Sequence, residues 1–365
     1  MASIRDVAKE AGVSPATVSR TFTSPGLINE DTQKRVLDAA RRLDYMPPRL
    51  RSSRVPTFRG KSYGPAPSPD GDIRRDAIGF QFFAADSSDS VFSNNFYSPV
   101  LAGAQDEAAA LGLHVLVHTT DRHRVAQEIP RMILEQAVGG LLLVGAADRG
   151  ALELFARHVS DIVLVDNLDN VEPFESVVSD GFGGAHAATR YLLGLGHRRI
   201  AFYLAEDDVN TFRERRRGWL CAMAEACIVP DPSLVIAAPS DGDRRERLVR
   251  LLQSDGGPTA ILAANDQHAF ILLDLCRELG IDVPGRVSVV GFDDVQFPGA
   301  SFPSLTTVHV DKEFMGRLAV RRLYARLHTE AHRLAAIPDP VPVRHQVPTT
   351  LIVRGSSGPP TVSSH

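Results

Sequence analysis

The chain has 365 residues, 44% of them apolar and 23% charged, enough for two or three hydrophobic cores and too apolar for wholesale disorder. Its longest apolar run, 138–147 (VGGLLLVGAA), is half of what a membrane span needs. The opening MASIRDVAKE lacks an apolar leader and points to the cytoplasm, while Cys221, Cys227 and Cys276 fit neither a metal-ligand spacing nor a disulfide framework.

A secreted, disulfide-stapled or membrane-spanning protein is therefore not expected. The net charge of −4 hides an asymmetry. Residues 1–61 carry 12 Lys and Arg against 6 Asp and Glu, a net of +6; the remainder carries 28 against 38, a net of −10. A basic head on an acidic body suits a head that meets a polyanion, as against a chance imbalance of surface charge.

In the head, Ile4, Val7, Ala8 and Ala11 fall at i, i+3, i+4 and i+7, which predicts a helix with one apolar stripe. Ser3 is its candidate N-cap, and Gly12 stops it with a residue that readily takes the left-handed C-cap. Ser14 caps the next helix, with Pro15 in the first turn where its missing N–H costs nothing. Val13 and Val18 face inward, leaving Pro15, Ala16, Thr17, Ser19 and Arg20 outward. A third helix from Asn29 or Asp31 to Leu43 buries Val36, Ala40 and Leu43. The pattern is a helix-turn-helix. An arginine can grip a guanine edge at two points, and hydroxyls with helix N-terminal amides, such as those at Asn29 and Thr32, seat phosphates.

The connector reads YMPPRLRSSR over 45–54, then RVPTFRGKSYGPAPSPDGD, a Pro, Gly and Ser composition that predicts a partly extended linker. From residue 75 onward, apolar runs alternate with helix-length segments. Strands are predicted at 77–83, 114–119, 140–145, 161–166, 199–204, 260–265 and 287–294. Helices are predicted over PVLAGAQDEAAALG and DQHAFILLDLCRELG, among others. That alternation means βαβ units with parallel sheets, in two lobes because about 280 residues exceed one core. Ligands in such sheets bind beyond the C-terminal strand ends, where Asp166, Asn265 with Asp266, and Asp293 with Asp294 fall. Arg215 adds a forked donor. Each of these residues taken alone also reads as a helix cap or a solvated loop charge. The histidines and DRHR tract around 114–124 read as a surface cluster, and no nucleotide, metal or nucleophile motif appears.

The runs IRDVAKEAGVSPATVSR and NEDTQKRVLDAARRLDYMP resemble the DNA-binding head of the LacI family of bacterial transcription regulators. The body resembles the same family through LVDN, GHRRIAF, TFRERRRGW, AANDQHA, VSVVGFDD and PSLTTVHVD. The resemblance implies a small all-α helix-turn-helix head on an α/β, two-lobed, periplasmic-binding-protein-like core with parallel sheets. The domains are then 1–46 (head), 47–74 (hinge and linker), 75–355 (effector-binding and dimerisation body) and 356–365 (disordered tail). Pro15, Ala16 and Arg20 fall at base-reading positions and Thr17, Ser19, Asn29 and Thr32 at phosphate-contacting positions, with the helix cap Ser14 a further DNA-binding candidate. In the hinge, Pro48, Arg51 and Arg54 stand where asparagine, alanine and a minor-groove leucine are usual. Arg51 and Arg54 are thereby candidate DNA contacts through the negative minor groove. In the body, Phe96, Tyr97, Asp166, Arg215, Asn265 and Asp293 fall at effector positions, with Thr211 beside them. Asn95, Asn167 and Ser240 depart from the family pattern.

The function so implied is a homodimeric, sequence-specific regulator, most often a repressor. It binds double-stranded DNA at a pseudo-palindromic operator and answers to a small effector, with carbohydrate the favoured class. No enzyme activity, cofactor, metal or membrane partner is expected. The competing readings are a solute-binding sensor whose head no longer binds DNA specifically, and a sugar-acting enzyme, although no acid and nucleophile pair can be named.

Overall fold

A computed structural model of the chain describes residues 4–15, 17, 18, 21, 29–43, 76–85, 89–122, 129–167, 174–204, 210–237, 241–254, 256–296, 303–328 and 343–361. It divides into two compact units, Met1–Asp70 and Gly71–His365.

In the first unit, helix α1 spans Ile4–Ala11 and α2 spans Glu30–Arg42. Gly12 takes φ +65° just after α1, the left-handed C-cap that the sequence called for. Ser14 Oγ accepts from the Thr17 amide at 3.1 Å, which is an N-cap bond. Val7, Ala8, Ala11, Val18, Val36, Ala39 and Ala40 form the core, with Val13 and Leu43 packed against it. Ser3, Ala16, Ser19 and Arg20, the whole hinge and linker with Pro48, Arg51 and Arg54, and Ser240 lie outside the described residues.

The second unit holds two six-stranded sheets. In chain order its elements are β1 (Ala77–Ala84), α3 (Tyr97–Ala110), β2 (His114–Asp121), α4 (Arg131–Leu134), β3 (Gly140–Val144), α5 (Arg149–Ala156), β4 (Ile162–Val165) and β5 (Glu175–Ser179). There follow α6 (Gly181–Gly194), β6 (Ile200–Tyr203), α7 (Asn210–Glu225), a 3-10 turn (Pro232–Leu234), β7 (Val235–Ile236), α8 (Asp241–Gln253) and β8 (Ala260–Ala263). The chain continues with α9 (Asp266–Glu278), β9 (Ser288–Asp293), β10 (Thr306–Val310), α10 (Lys312–His328), β11 (Arg344–Val347) and β12 (Thr349–Ile352). The first sheet runs β11-β5-β4-β3-β1-β2 and the second β12-β10-β9-β8-β6-β7. Every pairing is parallel except β10 with β12. β1, β3, β4, β8 and β9 are buried along their whole length, because helices cover both faces of each parallel sheet and continuous apolar runs replace alternation. Five strands (β5, β7, β10, β11 and β12) go beyond the seven the sequence named.

Among the described residues the chain passes between the lobes three times: from β5 into α6, which packs on the second sheet; from β10 into α10, which packs on the first; and from β11 into β12. Two of these passages are laced together. The Asp180 amide donates to Val347 O at 2.9 Å, Gln346 Nε2 to Asp180 Oδ1 at 2.8 Å, and Thr349 Oγ1 to Asp180 O at 3.2 Å. In the third, the buried Lys312 ammonium donates to the carbonyls of Asp293 and Val310.

The disordered tail expected from residue 356 onward is corrected as far as Thr361. Ser356 is fully buried; its Oγ donates to Val289 O and accepts from the Thr306 amide, at 2.6 and 2.8 Å. Gly358 O accepts from Ser288 Oγ at 3.0 Å, and the His197 ring bonds it at 2.9 Å. The polar, Gly-rich composition reads as disorder because it lacks apolar side chains, yet these residues serve as hydrogen-bond partners for strand backbone that would otherwise be buried unpaired.

Candidate functional site

The C-terminal ends of β4 and β9 and the N-terminal turns of α3, α7 and α9 carry the polar residues singled out from the sequence. Three aspartates at these strand ends, Asp166, Asp293 and Asp294, hold φ of +56°, +109° and +53°. Non-glycine residues in this region are uncommon and concentrate at functional sites, where the surrounding structure holds the strain.

Asp166 is buried, and its Oδ2 accepts from the Tyr97 hydroxyl at 2.8 Å. Its Oδ1 is buried with no hydrogen-bond partner. Across the lobes, Arg215 on α7 donates from Nη2 to Asp293 Oδ1 at 2.9 Å and from Nη1 to Ala264 O, while its Nε is also buried without a partner. The guanidinium lies 3.9 Å above the centroid of Phe292 and 5.5 Å from that of Phe212, a stacked setting that fixes the fork. Tyr97 in turn packs at 4.9 Å on Phe82 and 5.0 Å on Phe96.

The groups sense one another's charge. Burial raises the Asp166 carboxyl from 3.8 to about 6, against the pull of Arg215 and the Tyr97 hydrogen bond, with Asp293 raising it further. Burial likewise raises Asp293, offset by Arg215 and Lys312, and raises the Tyr97 hydroxyl beside Asp166. Such displacement marks a place where desolvated charge is held ready.

The remaining candidates divide. Thr211 is buried in the first turn of α7. Asn265 is the N-cap of α9, its Oδ1 accepting from the His268 amide at 2.9 Å. Phe96 is half-buried, with the Lys312 ammonium 6.0 Å from its ring centroid. Asn95 is exposed. Asn167 donates to the carbonyls of Gly145 and Ala147 at 3.2 and 3.3 Å, so it ties two strand-end loops together. In the first unit, Ser14, Pro15 and Asn29 are exposed and Thr17 and Thr32 half-buried, with Thr17 Oγ1 2.9 Å from Ser14 Oγ.

Lys312, Phe292 and Phe212 escaped the sequence reading. Lys312 opens a helix directly after the PSLTTVHVD run, and only the fold returns it beneath Asp293. Asp266, seen from sequence only as part of a strand-end cluster, is raised to about 7 by burial and by Asp293. Its Oδ1 accepts from Thr307 Oγ1 and its Oδ2 from the Val295 amide, so it braces the loop after β9. The histidine cluster around 114–124 resolves into ordinary bonds where described, with His118 Nδ1 3.1 Å from Gln81 Oε1 and 3.2 Å from Thr120 Oγ1. His123 and Arg124 lie outside the described residues.

Residues 3–48 match the family described as bacterial regulatory proteins, lacI family, and residues 189–357 match a periplasmic binding protein-like domain. The chain is 31% identical over 333 residues to the HTH-type transcriptional regulator RegA of Clostridium saccharobutylicum, covering 89% of this chain and 92% of that protein. It is 29% identical over 341 residues to the HTH-type transcriptional repressor PurR of Photobacterium profundum, covering 91% and 94%. A solved complex of the transcriptional regulator CelR with cellobiose is similar over 98% of this chain and 100% of that one, with TM-score 0.67 and 25% identity. Among the described residues, no helix is long and apolar enough to cross a membrane.

Proposed function

The chain belongs to the LacI family of bacterial regulatory proteins, and from that premise we propose that it represses transcription from a pseudo-palindromic operator as a homodimer, under control of a small molecule held between its two lobes. The observation that carries the effector reading is the unsatisfied pair of buried atoms, Asp166 Oδ1 and Arg215 Nε. A buried polar atom without a partner is costly, and a ligand offering a hydroxyl donor to the first and an acceptor oxygen to the second removes both costs. A polyhydroxylated, carbohydrate-like effector has that chemistry. Asn265 and Thr211 at helix starts add polar groups, and Phe96 with Tyr97 an aromatic wall.

Control follows from the lobe passages. An effector that bonds Asp166 from one lobe and Arg215 from the other favours the closed arrangement by its differential affinity, of order 1–3 kcal/mol. Dimerisation follows from the reader itself: one head with Arg20 as its main base contact specifies little, and two heads on a palindrome square that specificity. Pro15, Ala16 and Arg20 read bases, Thr17, Ser19, Asn29 and Thr32 hold phosphates beside the capping Ser14, and Arg51 with Arg54 enters the minor groove. The site is read as one that binds its ligand without turning it over, in keeping with relatives that are transcriptional regulators. The protein acts where the DNA is, in the cytoplasm.

A thermal-shift screen of the full chain against sugars, nucleobases and other metabolites tests the effector, because a tight ligand raises the melting point. A hit that still shifts R215A and D166A as it shifts the native chain removes the cleft assignment. For DNA, R20A should lose discrimination between operator and random duplex in gel-shift titrations, and native binding should weaken steeply with salt. Unchanged discrimination by R20A removes the reader.

A further inference from the structure

Away from the cleft, the second lobe carries a cluster that effector and DNA binding leave unused. Cys221 and Glu225 stand one turn apart on α7, and His186 meets them from α6; their ligand atoms all lie within 4.8 Å of one another. His186 Nε2 is 2.9 Å from Glu225 Oε2, and Cys221 Sγ is 3.7 Å from Glu225 Oε1. The scaffold beneath is stiff. A Cβ at Gly218 would fall 2.2 Å from the Phe182 carbonyl oxygen, so α6 and α7 approach backbone to backbone. The Phe182 ring stacks on His186 at 6.0 Å and 11°, which orients the imidazole from its own helix.

Thiolate, imidazole and carboxylate together form a donor set for a borderline-soft ion that prefers four ligands, which describes Zn(II); Mg(II) and Ca(II) ask for oxygen alone. Ligands of a tetrahedral zinc stand about 3.3–3.8 Å apart, given bonds of about 2.0–2.3 Å. The Cys221 to Glu225 separation already lies in that range. The His186 to Glu225 hydrogen bond opens to it by rotation of the exposed glutamate. Arg190, close enough for its charge to act on Glu225, repels a cation, which keeps the affinity below that of a closed four-ligand site.

We infer that His186 Nε2, Cys221 Sγ and the Glu225 carboxylate bind a Zn(II) ion, with water in the fourth position. On binding, the hydrated ion keeps one of its waters and releases the others to solvent as nitrogen, sulfur and oxygen enter, and the Cys221 thiol gives its proton to solvent. The ion fastens α7 to α6 some six residues, or about 9 Å of helix, beyond the cleft residue Arg215.

The full chain, reduced and stripped of metal by a chelator, is titrated with Zn(II) against a chromophoric competitor and with Co(II) as a spectroscopic substitute. The expected result is one tight event per chain, with a thiolate-to-cobalt charge-transfer band in the near ultraviolet. C221S should abolish the band and weaken zinc by more than about tenfold, the lower end of what loss of even an outer partner costs a metal site. E225Q and H186Q should also weaken zinc. C227S, which removes an exposed cysteine outside the cluster, should leave band and affinity unchanged. Circular dichroism and melting curves establish that each variant is folded. Absence of the band in the native chain, zinc affinity undiminished in folded C221S, or loss of the band in C227S overturns the assignment.

Discussion

Arg215 Nη2 sits 2.9 Å from Asp293 Oδ1 with both side chains almost wholly buried, at 3% and 9% exposed. This ion pair joins α7 to the end of β9, and Lys312 supports it from below by bonding the Asp293 carbonyl. Breaking one side of a buried pair leaves an uncompensated charge, at a cost of about 3–5 kcal/mol. R215A should therefore lower the melting temperature sharply and lose effector response. R215K keeps the charge without the fork, so it should keep more stability and still lose most of the response. Calorimetry with and without the effector separates the two quantities.

Asp166 gives a pH prediction. Its carboxyl titrates at about 6 in the folded chain against an ordinary 3.8, so between those values the folded state holds a proton that the unfolded state has released. Stability from this group is therefore greatest at low pH, falls as pH rises toward about 6, and is level above. A shift of this size corresponds to about 3 kcal/mol. D166N keeps the left-handed backbone, which asparagine tolerates, and removes the charge. Its stability advantage over the native chain should be small near pH 4 and grow to at most about 3 kcal/mol by pH 7, in denaturant titrations run across that range. A difference independent of pH would show that burial of this charge is not the cause.

The first lobe depends on a close approach of α3 and α10. A Cβ at Gly316 would stand 2.0 Å from Val100 O and 2.8 Å from the Ala104 amide nitrogen, and helix backbone cannot yield as a side chain can. G316A should cost about 1–3 kcal/mol or more by overpacking. Gly194, in the last turn of α6, has nothing within 4 Å of such a Cβ. G194A should be neutral or stabilising by about 0.5–1 kcal/mol. Parallel denaturant melts of the two variants make the comparison.

The tail offers a fourth test. Ser356 Oγ bonds the backbone of both Val289 and Thr306, and S356A leaves those groups buried without that partner. The expected loss is about 1–3 kcal/mol, with faster amide exchange at Thr306. A disordered tail would show neither effect.

Much of this protein was legible locally. The Ser14 cap, the Gly12 stop and the Val7, Ala8 and Ala11 stripe need only neighbours a few residues away, and apolar runs such as GLLLV betray strands buried on both faces. β5, β10, β11 and β12 were not legible. Their exposed or polar positions, as in TTVHV and RHQV, lack the continuous apolar run, and their partners lie far off in sequence. In the cleft, aspartates at strand ends gave themselves away because a parallel sheet presents its C-terminal edge to ligands.

The amino-acid order by itself determined the helix-turn-helix, the alternation of strand and helix, and which side chains end the strands, since capping, periodicity and charge act within a few residues. Only the tertiary structure decided that Lys312 lies beneath Asp293, that Ser356 seats on the second sheet, and that His186 meets Cys221 and Glu225. Each of those meetings joins residues about twenty or more apart in the chain, and their distances follow from how helices pack on sheets, which no local spacing encodes.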